Sequence, residues 1–271
     1  MRTKLLGVAS LVGISVLAGV IVRNTSAGAR LARSGKGMNE RTPVLVELFT
    51  SEGCSSCPPA DALLRKLDQT QPIRDVDLIV LSEHVDYWNN IGWKDSYSAH
   101  AYSERQSEYA ARFGNGSVYT PQMVVDGRFE FVGSDERTAA RAIEEAVNTA
   151  KVPVELSVVP VDERSSVLEV RVGALPPGTG TKSADVYLAI ADERDKSHVS
   201  GGENAGRTLD HVAVLRRFSR IGGVDASHEF SGSIKLTPTL KIGSDARIVV
   251  IVQQSNAGRV VGAAVERVPA G

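Results

Sequence analysis

The sequence predicts an α/β domain followed by a small antiparallel β-sandwich. Over residues 44–150, short apolar runs alternate with helical patterns, which is typical of a mixed α/β domain. From Val152 onward, apolar and polar residues alternate with a period of two, as in strands with one buried face. Gly- and Pro-containing turns, such as residues 175–178, separate those strands. We therefore predict one domain at residues 43–150 and the second at residues 151–271.

The N-terminal 29 residues are predicted to lie outside both domains. A basic start precedes an apolar or small stretch at residues 5–22, and Ala27-Gly28-Ala29 offers a small-x-small cleavage site. This pattern indicates an export signal. The stretch is also near the minimum length for a membrane span, so an uncleaved anchor stays open as the alternative. Residues 30–42 are predicted to be a polar linker.

Either alternative places the body of the protein outside the cytoplasm, in the periplasm or secreted. Membrane contact is expected only if the N-terminal segment stays uncleaved. The chain has 31 basic and 32 acidic residues, and no basic patch with interleaved aromatics, which argues against nucleic acid as a partner. The sequence also lacks a phosphate-binding glycine loop and the serine-hydrolase and zinc-protease motifs, so hydrolase and nucleotide-binding functions have no support.

Cys54 and Cys57 are the only cysteines of the chain. They follow an apolar strand pattern at residues 44–49, and Pro58 and Pro59 after them suit the first turn of a helix. The positive end of a helix favours a thiolate over a thiol. We therefore predict that Cys54, at the exposed helix end, attacks a partner and that Cys57 resolves the mixed disulfide. The alternative is a small structural disulfide.

The remaining elements of the first domain follow in order. After the cysteines, the patterns predict a helix from Pro58 to about Asp68, a buried strand at residues 77–82, an inserted loop at residues 83–97 and a helix from Ser98 to Phe113. An Asp-Gly turn between residues 122–125 and 129–132 predicts a β-hairpin. Ser134 is predicted to cap a last helix at residues 137–150.

Three blocks of this domain resemble a known family. They are Glu-Leu-Phe-Thr-Ser-Glu-Gly-Cys-Ser-Ser-Cys-Pro-Pro-Ala-Asp at residues 47–61, Val-Asp-Tyr-Trp-Asn at residues 85–89 and Tyr-Thr-Pro-Gln-Met-Val-Val-Asp-Gly at residues 119–127. Together they are similar to a secreted, thioredoxin-like bacterial family of unknown function. The resemblance implies a thioredoxin-like fold and a redox-competent cysteine pair, and it supplies no substrate.

The resemblance also implies a role for Pro121. In the thioredoxin fold, the proline that begins this hairpin is cis, faces the cysteines and presents backbone to an extended substrate. We therefore expect a cis Thr120–Pro121 bond beside the catalytic pair. Tyr119 and Thr120, which precede this proline, are assigned to substrate binding.

Glu47 is an acid in an otherwise apolar strand. Burial would raise the pKa of such a carboxyl group and make it a proton acceptor for Cys57. Thioredoxins carry an acid at a similar place. The alternative, held equally open, is a strand acid paired with a Lys or Arg. Glu52, nearer Cys54, is expected to be exposed.

The inserted loop holds both tryptophans of the chain, Trp88 and Trp93. They either form a wall of a substrate groove or pack the loop onto the domain. His84 offers a metal alternative, because two cysteines and one imidazole resemble the Cu(I) ligands of copper-delivery thioredoxin-like proteins. His211 is expected to be half-exposed near a hairpin loop at residues 201–206, which could fold back toward the cysteines.

Together these features predict an exported thiol–disulfide oxidoreductase that acts on the thiols or disulfides of exported proteins and uses no cofactor. The alternative is a non-catalytic binding module for Cu(I) or for a protein partner. In that case Cys54 and Cys57 would serve as ligands, with His84, or as a structural bridge.

Overall fold

The computed structural model describes residues 21–22, 41–162, 165–236 and 245–268. The predicted signal or anchor (residues 1–29) and linker (residues 30–42) lie almost entirely outside these ranges. The strands are β1 Ile21–Val22, β2 Thr42–Thr50, β3 Val76–His84, β4 Gln122–Val125, β5 Phe129–Val132, β6 Val154–Asp162, β7 Ser165–Val172, β8 Ser183–His198, β9 Thr208–Asp225, β10 Phe230–Leu236, β11 Ala246–Gln253 and β12 Val260–Val268. The helices are α1 Pro58–Thr70, α2 His100–Phe113 and α3 Glu136–Ala146. Within the described residues, no helix is both long and apolar enough to span a bilayer.

A large mixed sheet runs through both halves of the chain, in the order β12-β11-β8-β9-β3-β2-β4-β5. Strands β2 and β3 are parallel, and β4 and β5 form the antiparallel hairpin predicted from Asp126-Gly127. Strand β9 lies parallel to β3 at the pairing of Ser82 with Val214. The sequence predicted an α/β part and a separate sandwich. The structure instead joins four strands of the second half to the sheet of the first.

A smaller antiparallel sheet has the order β1-β10-β7-β6. Its inward residues, such as Leu168 and Phe230, pack against inward residues of the large sheet, such as Val186 and Val250. Along β10 buried and exposed residues alternate without interruption, which is the period of two read from the sequence. The protein is therefore a mixed α/β structure with a large mixed sheet and a smaller antiparallel one.

The helices pack on the first half of the large sheet. Helix α1 buries a stripe that includes Leu63, Leu64 and Leu67, so its face toward the sheet is apolar. Helix α3 is capped by Asp135, whose side chain accepts a hydrogen bond from the Thr138 backbone N–H at 3.0 Å. The prediction of Ser134 as the cap was wrong by one residue. The carboxyl ends of β2 and β3 lie side by side, and the residues after them form the candidate site.

Candidate functional site

A disulfide joins Cys54 and Cys57 at the start of α1. Strand β2 ends at Thr50, and the Cys54 N–H then donates to the Ser51 carbonyl at 3.2 Å, which closes a tight turn. The Cys57 carbonyl accepts the N–H of Ala60 at 2.8 Å and so begins the helix. The predicted strand–turn–helix placement of the cysteine pair is thus present, with the two residues bonded to each other.

Both cysteines are completely buried, which corrects the prediction that Cys54 lies at an exposed helix end. Ser55 and Ser56, between them, are exposed. A segment from the second half of the chain packs on the turn that carries both cysteines. We call this segment, residues 199–207 between β8 and β9, the cover loop.

The cover loop is held to the disulfide turn by hydrogen bonds. The Asn204 amide, which is fully buried, donates to the carbonyl oxygens of Glu52 and Cys54, at 2.9 Å each. The Glu203 carboxylate accepts the Ser55 N–H at 3.0 Å. Gly201 packs so closely on the Gly92 carbonyl that a Cβ atom there would overlap it. The fold-back of this loop toward the cysteines is therefore confirmed.

The insertion loop, residues 85–99, closes the other side through both tryptophans. The Trp88 indole N–H donates to the Thr120 hydroxyl at 2.8 Å, and the Trp93 indole N–H donates to the Glu52 carboxylate at 2.7 Å. Both rings are partly buried. These contacts fit the alternative in which the tryptophans pack the loop, and they bring Trp88 and Thr120, two predicted substrate-binding residues, together.

Pro121 lies against the first turn of α1, and its bond to Thr120 is cis, as predicted. A Cβ atom at Gly133 would lie within 3.3 Å of both the Ala60 and the Pro121 Cβ atoms, which places the proline beside the helix turn that follows Cys57. Tyr119 donates its hydroxyl to the Glu130 carboxylate at 2.6 Å, so this side chain is directed at the hairpin.

Glu47 is fully buried and paired with Arg105 of α2. Arg105 contacts the Oε1 atom of Glu47, and the Oε2 atom accepts a hydrogen bond from the Tyr109 hydroxyl at 2.6 Å. Of the two alternatives for this residue, the structure shows the strand acid paired with an arginine. Burial and the adjacent Glu47 carboxylate raise the pKa of the neighbouring Glu83 well above its ordinary value.

Five titratable side chains form a buried cluster beneath the disulfide turn: Glu52, Asp61, His84, Asp95 and His211. His84, at the end of β3, bonds Asp95 at 2.7 Å, and its ring lies edge-on to that of His211 with centroids 4.8 Å apart. The His211 Nε2 atom is 3.4 Å from a Glu52 carboxylate oxygen. Glu52 was predicted to be exposed. It is buried because the cover loop and Trp93 lie over it.

The pKa values in the buried cluster move in opposite directions. Burial alone would lower the pKa of His84, but the Asp95, Asp61 and Glu52 carboxylates outweigh it and raise that pKa. Burial would raise the pKa of Asp95, but the charge and hydrogen bond of His84 lower it. The pKa of Asp61 is raised by burial. Both shifts favour the charged forms of this hydrogen-bonded pair, the imidazolium of His84 and the carboxylate of Asp95.

His211 was not assigned to the site by sequence reasoning. It lies on β9 and is buried, where the sequence analysis expected a half-exposed residue near a loop. A histidine within an apolar run, residues 209–215, was the signal available. The pairing of β9 with β3 brings it to the site, and a pairing between distant strands is not readable from local patterns.

The Cu(I) alternative required Cys54, Cys57 and His84 as free ligands. The two sulfur atoms are bonded to each other, and the Nδ1 atom of His84 bonds Asp95. In the part of the chain that the structure describes, no group of three or more His, Cys, Asp or Glu side chains is arranged to hold a metal ion.

The chain matches a family model and is similar to solved structures, among them the two described next. A family model described as "Protein of unknown function (DUF1223)" matches residues 45–253. The crystal structure of a protein from Agrobacterium tumefaciens is 29% identical, with a TM-score of 0.64, and the match covers 83% of this chain and 94% of that one. HBP35 of Porphyromonas gingivalis is 14% identical, with a TM-score of 0.59 and coverage of 83% and 75%, a likeness of fold alone. None of the proteins with curated descriptions matches.

Proposed function

Because the chain belongs to the DUF1223 family of proteins of unknown function, we propose a function from the chemistry of its own site: thiol–disulfide exchange at Cys54 and Cys57. The observation that carries the proposal is the place of the disulfide, between the carboxyl end of β2 and the first turn of α1. At that place the unpaired N–H groups of the helix end stabilise a thiolate once the bond opens. The position of Pro121 near this helix turn adds support.

The element order of the first half supports the thioredoxin-like description. Strand β2, helix α1, strand β3, helix α2, the β4–β5 hairpin and helix α3 follow one another as in that fold. The cover loop and strands β8, β9, β11 and β12 extend the sheet beyond it. In this description, the second half of the chain regulates access to a redox site that the first half builds.

The exchange proceeds in two balanced steps. A thiolate of a partner dithiol attacks the Cys54 sulfur, a mixed disulfide forms and the Cys57 sulfur leaves as a thiolate. The second partner thiol, after losing its proton, then attacks the partner's sulfur in the mixed disulfide and releases Cys54. The partner gains a disulfide and loses two electrons and two protons; the electrons pass to the cysteine pair and the protons pass to the protein. The reverse sequence reduces a partner disulfide.

The burial of both sulfur atoms sets a condition on this chemistry. A partner thiolate needs a line of approach to sulfur, and Asn204 and Glu203 of the cover loop bind the backbone of the turn that carries the buried sulfur atoms. Exchange therefore follows displacement of the cover loop. Exposed Ser55 and Ser56 mark the surface where a partner first contacts the turn.

The partners are thiols or disulfides of exported proteins, since the N-terminal segment carries the pattern of an export signal. The protein then works in the periplasm or outside the cell, and at the membrane if this segment is kept. An oxidising compartment also keeps the cysteine pair in its bonded form.

A structural disulfide, in a binding module without turnover, is the second candidate, and the complete burial of both cysteines favours it. The short length of the loop that this disulfide closes argues against a purely structural role. The bonded cysteines are only three positions apart, and closing so short a loop restricts the unfolded chain by about 2 kcal/mol, against about 4.7 kcal/mol for a loop of about 100 residues. A bridge kept only for stability gains most when it closes a long loop.

Trapping tests the proposal. The full chain carrying Cys57→Ser is expressed in its organism of origin, where Cys54 can form a mixed disulfide that nothing resolves. We expect specific exported proteins to stay bound until a reductant releases them. The matched control is the double variant Cys54→Ser/Cys57→Ser, which has the same shape and no thiol. An identical set of proteins with both variants, or none with either, would overturn the proposal.

A further inference from the structure

The buried cluster lies directly beside the redox pair. Asp61 is four residues after Cys57 on α1, so the two share a helix face, and side chains on a helix lean toward its N-terminus. Glu52 is two residues before Cys54, and their carbonyl oxygens share the Asn204 amide. One edge of the buried cluster is thus the disulfide turn itself.

Four polar atoms in the buried cluster make no hydrogen bond among the described residues. Two of them, a Glu52 carboxylate oxygen and Nε2 of His211, face each other at 3.4 Å. The other two, Nε2 of His84 and Nδ1 of His211, have no partner of either kind among those residues. Native proteins satisfy most buried polar groups, so several unsatisfied ones at one place require a functional explanation. A protein that needed only a stable core here would fill this space with apolar side chains at lower cost.

Charge and geometry divide the cluster into a fixed part and a variable part. His84 and Asp95 are hydrogen-bonded to each other, and Asp95 is held further by the backbone N–H groups of Glu52 and Tyr97. His211 makes no hydrogen bond of this kind. Its ring centroid lies 4.8 Å from that of His84, and its Nε2 atom lies 3.4 Å from a Glu52 carboxylate oxygen.

The groups that face His211 come from every element packed on it. They are Glu52 from the disulfide turn, Asp61 from α1, His84 from β3, Tyr97 from the insertion loop, and Asp195, its cross-strand neighbour on β8. Asp95, also from the insertion loop, is hydrogen-bonded to His84. Asp61 interacts electrostatically with both imidazoles. A negative charge added at Cys57, one helical turn away, therefore acts on the same pair.

We propose that His84 and His211 form an imidazole pair that takes up a proton when the Cys54–Cys57 disulfide is reduced, and that its charge compensates the thiolate released at Cys57. The inference rests on the proposed function. A partner dithiol loses two electrons and two protons and forms its own disulfide. One proton goes to the Cys54 thiol, and the other is held by the imidazole pair. His84 and His211 are positioning residues, because they act on the cysteines through the field of the cluster.

Imidazole titration in the full chain tests this inference. Ring resonances are followed by NMR against pH in the oxidised protein and in protein reduced with dithiothreitol. We expect the midpoint of the His84–His211 pair to rise by at least one pH unit on reduction, a tenfold gain in proton affinity. Exposed His100, His198 and His228 serve as internal controls whose midpoints stay the same. An unchanged or lowered midpoint of the pair would overturn the inference.

A second measurement uses His211→Gln, which keeps a donor toward Glu52 and removes the titration. Proton uptake adds to the pH dependence of the equilibrium constant for reduction by dithiothreitol. Between the imidazole midpoints of the oxidised and the reduced protein, the added change is tenfold per pH unit, which equals about 30 mV for a two-electron couple. The variant loses this extra slope, and an unaltered slope counts against the inference. Neither measurement needs a partner protein. If the trapping experiment captures partners but the imidazole midpoint does not change on reduction, only the imidazole-pair inference is rejected. If the midpoint changes but no partner is captured, only the exchange function is rejected.

Discussion

The Asn204 side chain, from the loop between β8 and β9, donates a 2.9 Å hydrogen bond to the backbone carbonyl of Cys54, although 150 positions separate them in the chain. The same amide group also reaches the Glu52 carbonyl. A residue of the second half therefore holds down the turn that carries the disulfide. We therefore expect access to the sulfur atoms to depend on both halves of the chain.

Asn204→Ala removes the hydrogen bonds that hold the cover loop. Losing them costs about 1–3 kcal/mol, and 1.4 kcal/mol corresponds to about a tenfold change in an equilibrium constant. We therefore expect the variant disulfide to react about tenfold faster with dithiothreitol, as measured by thiol alkylation and mass spectrometry. Asn148→Ala, an exposed site at the end of α3, is the matched control and should react like the wild type. Equal rates for the two variants would show that the cover loop does not limit access.

Gly201→Ala tests the same contact by steric means. A Cβ atom at this position would overlap the Gly92 carbonyl oxygen, so the cover loop cannot seat fully. We expect faster reduction of the disulfide, as for Asn204→Ala. Gly116→Ala is the control, because a Cβ atom there meets nothing within 4 Å. A Gly201→Ala protein that keeps the wild-type rate would contradict the close packing of the two loops.

Arg105→Met should strongly destabilise the fold. It leaves the fully buried Glu47 carboxylate without its cation, and breaking a buried pair from one side typically costs about 3–5 kcal/mol. Denaturant unfolding measures this loss. The double variant Glu47→Gln/Arg105→Met should recover part of it, because no charge is then stranded. Arg112→Met, exposed on the same helix, should change the unfolding free energy by less than about 0.5 kcal/mol. If Arg105→Met lowered the unfolding free energy only slightly, the Glu47–Arg105 pair would not be important for stability.

The His84–Asp95 pair predicts a window of pH stability. The lowered pKa of Asp95 adds stability that is present above about pH 3.9 and is lost as the pH falls through the folded value. The raised pKa of His84 adds stability that is complete below about pH 6.5 and is lost as the pH rises through its folded value. Asp95→Asn should therefore cost most between those limits and less at pH 8. Its unfolding free energy relative to wild type, measured at pH 3, 5.5 and 8, checks this.

The control for that series is Glu136→Gln, which breaks an exposed ion pair with Lys66. Exposed pairs contribute little, so this variant should track the wild type at every pH. A cost of Asp95→Asn that is the same at all three pH values would mean that the His84–Asp95 pair does not titrate as described.

Local patterns were sufficient for much of the first half of the chain. Pro58 and the leucine stripe predicted α1, and the Asp126-Gly127 turn predicted the hairpin to the residue, because turn chemistry and helix periodicity act over a few neighbours. Membership of a family of unknown function also agrees with the match to residues 45–253.

The contacts that form the site could not be predicted from local sequence patterns. The turn that carries Cys54 is bound by the distant Asn204, and His84 is packed against His211, which arrives through the pairing of β9 with β3. For Glu47 the apolar strand predicted burial correctly but left its partner open, since Arg105 lies on a helix far along the chain. Sequence periodicity fixes which face of a strand is buried and leaves open which distant element covers it.

The reduction potential of the Cys54–Cys57 couple tests the central claim most directly. It is measured on the full chain by equilibration in dithiothreitol buffers of graded composition. Exchange catalysts lie between about −270 and −120 mV, and we predict a value within that range at pH 7. A potential below about −300 mV would identify a structural bridge that the cellular thiol pool cannot open, and would contradict thiol–disulfide exchange as the function of this protein.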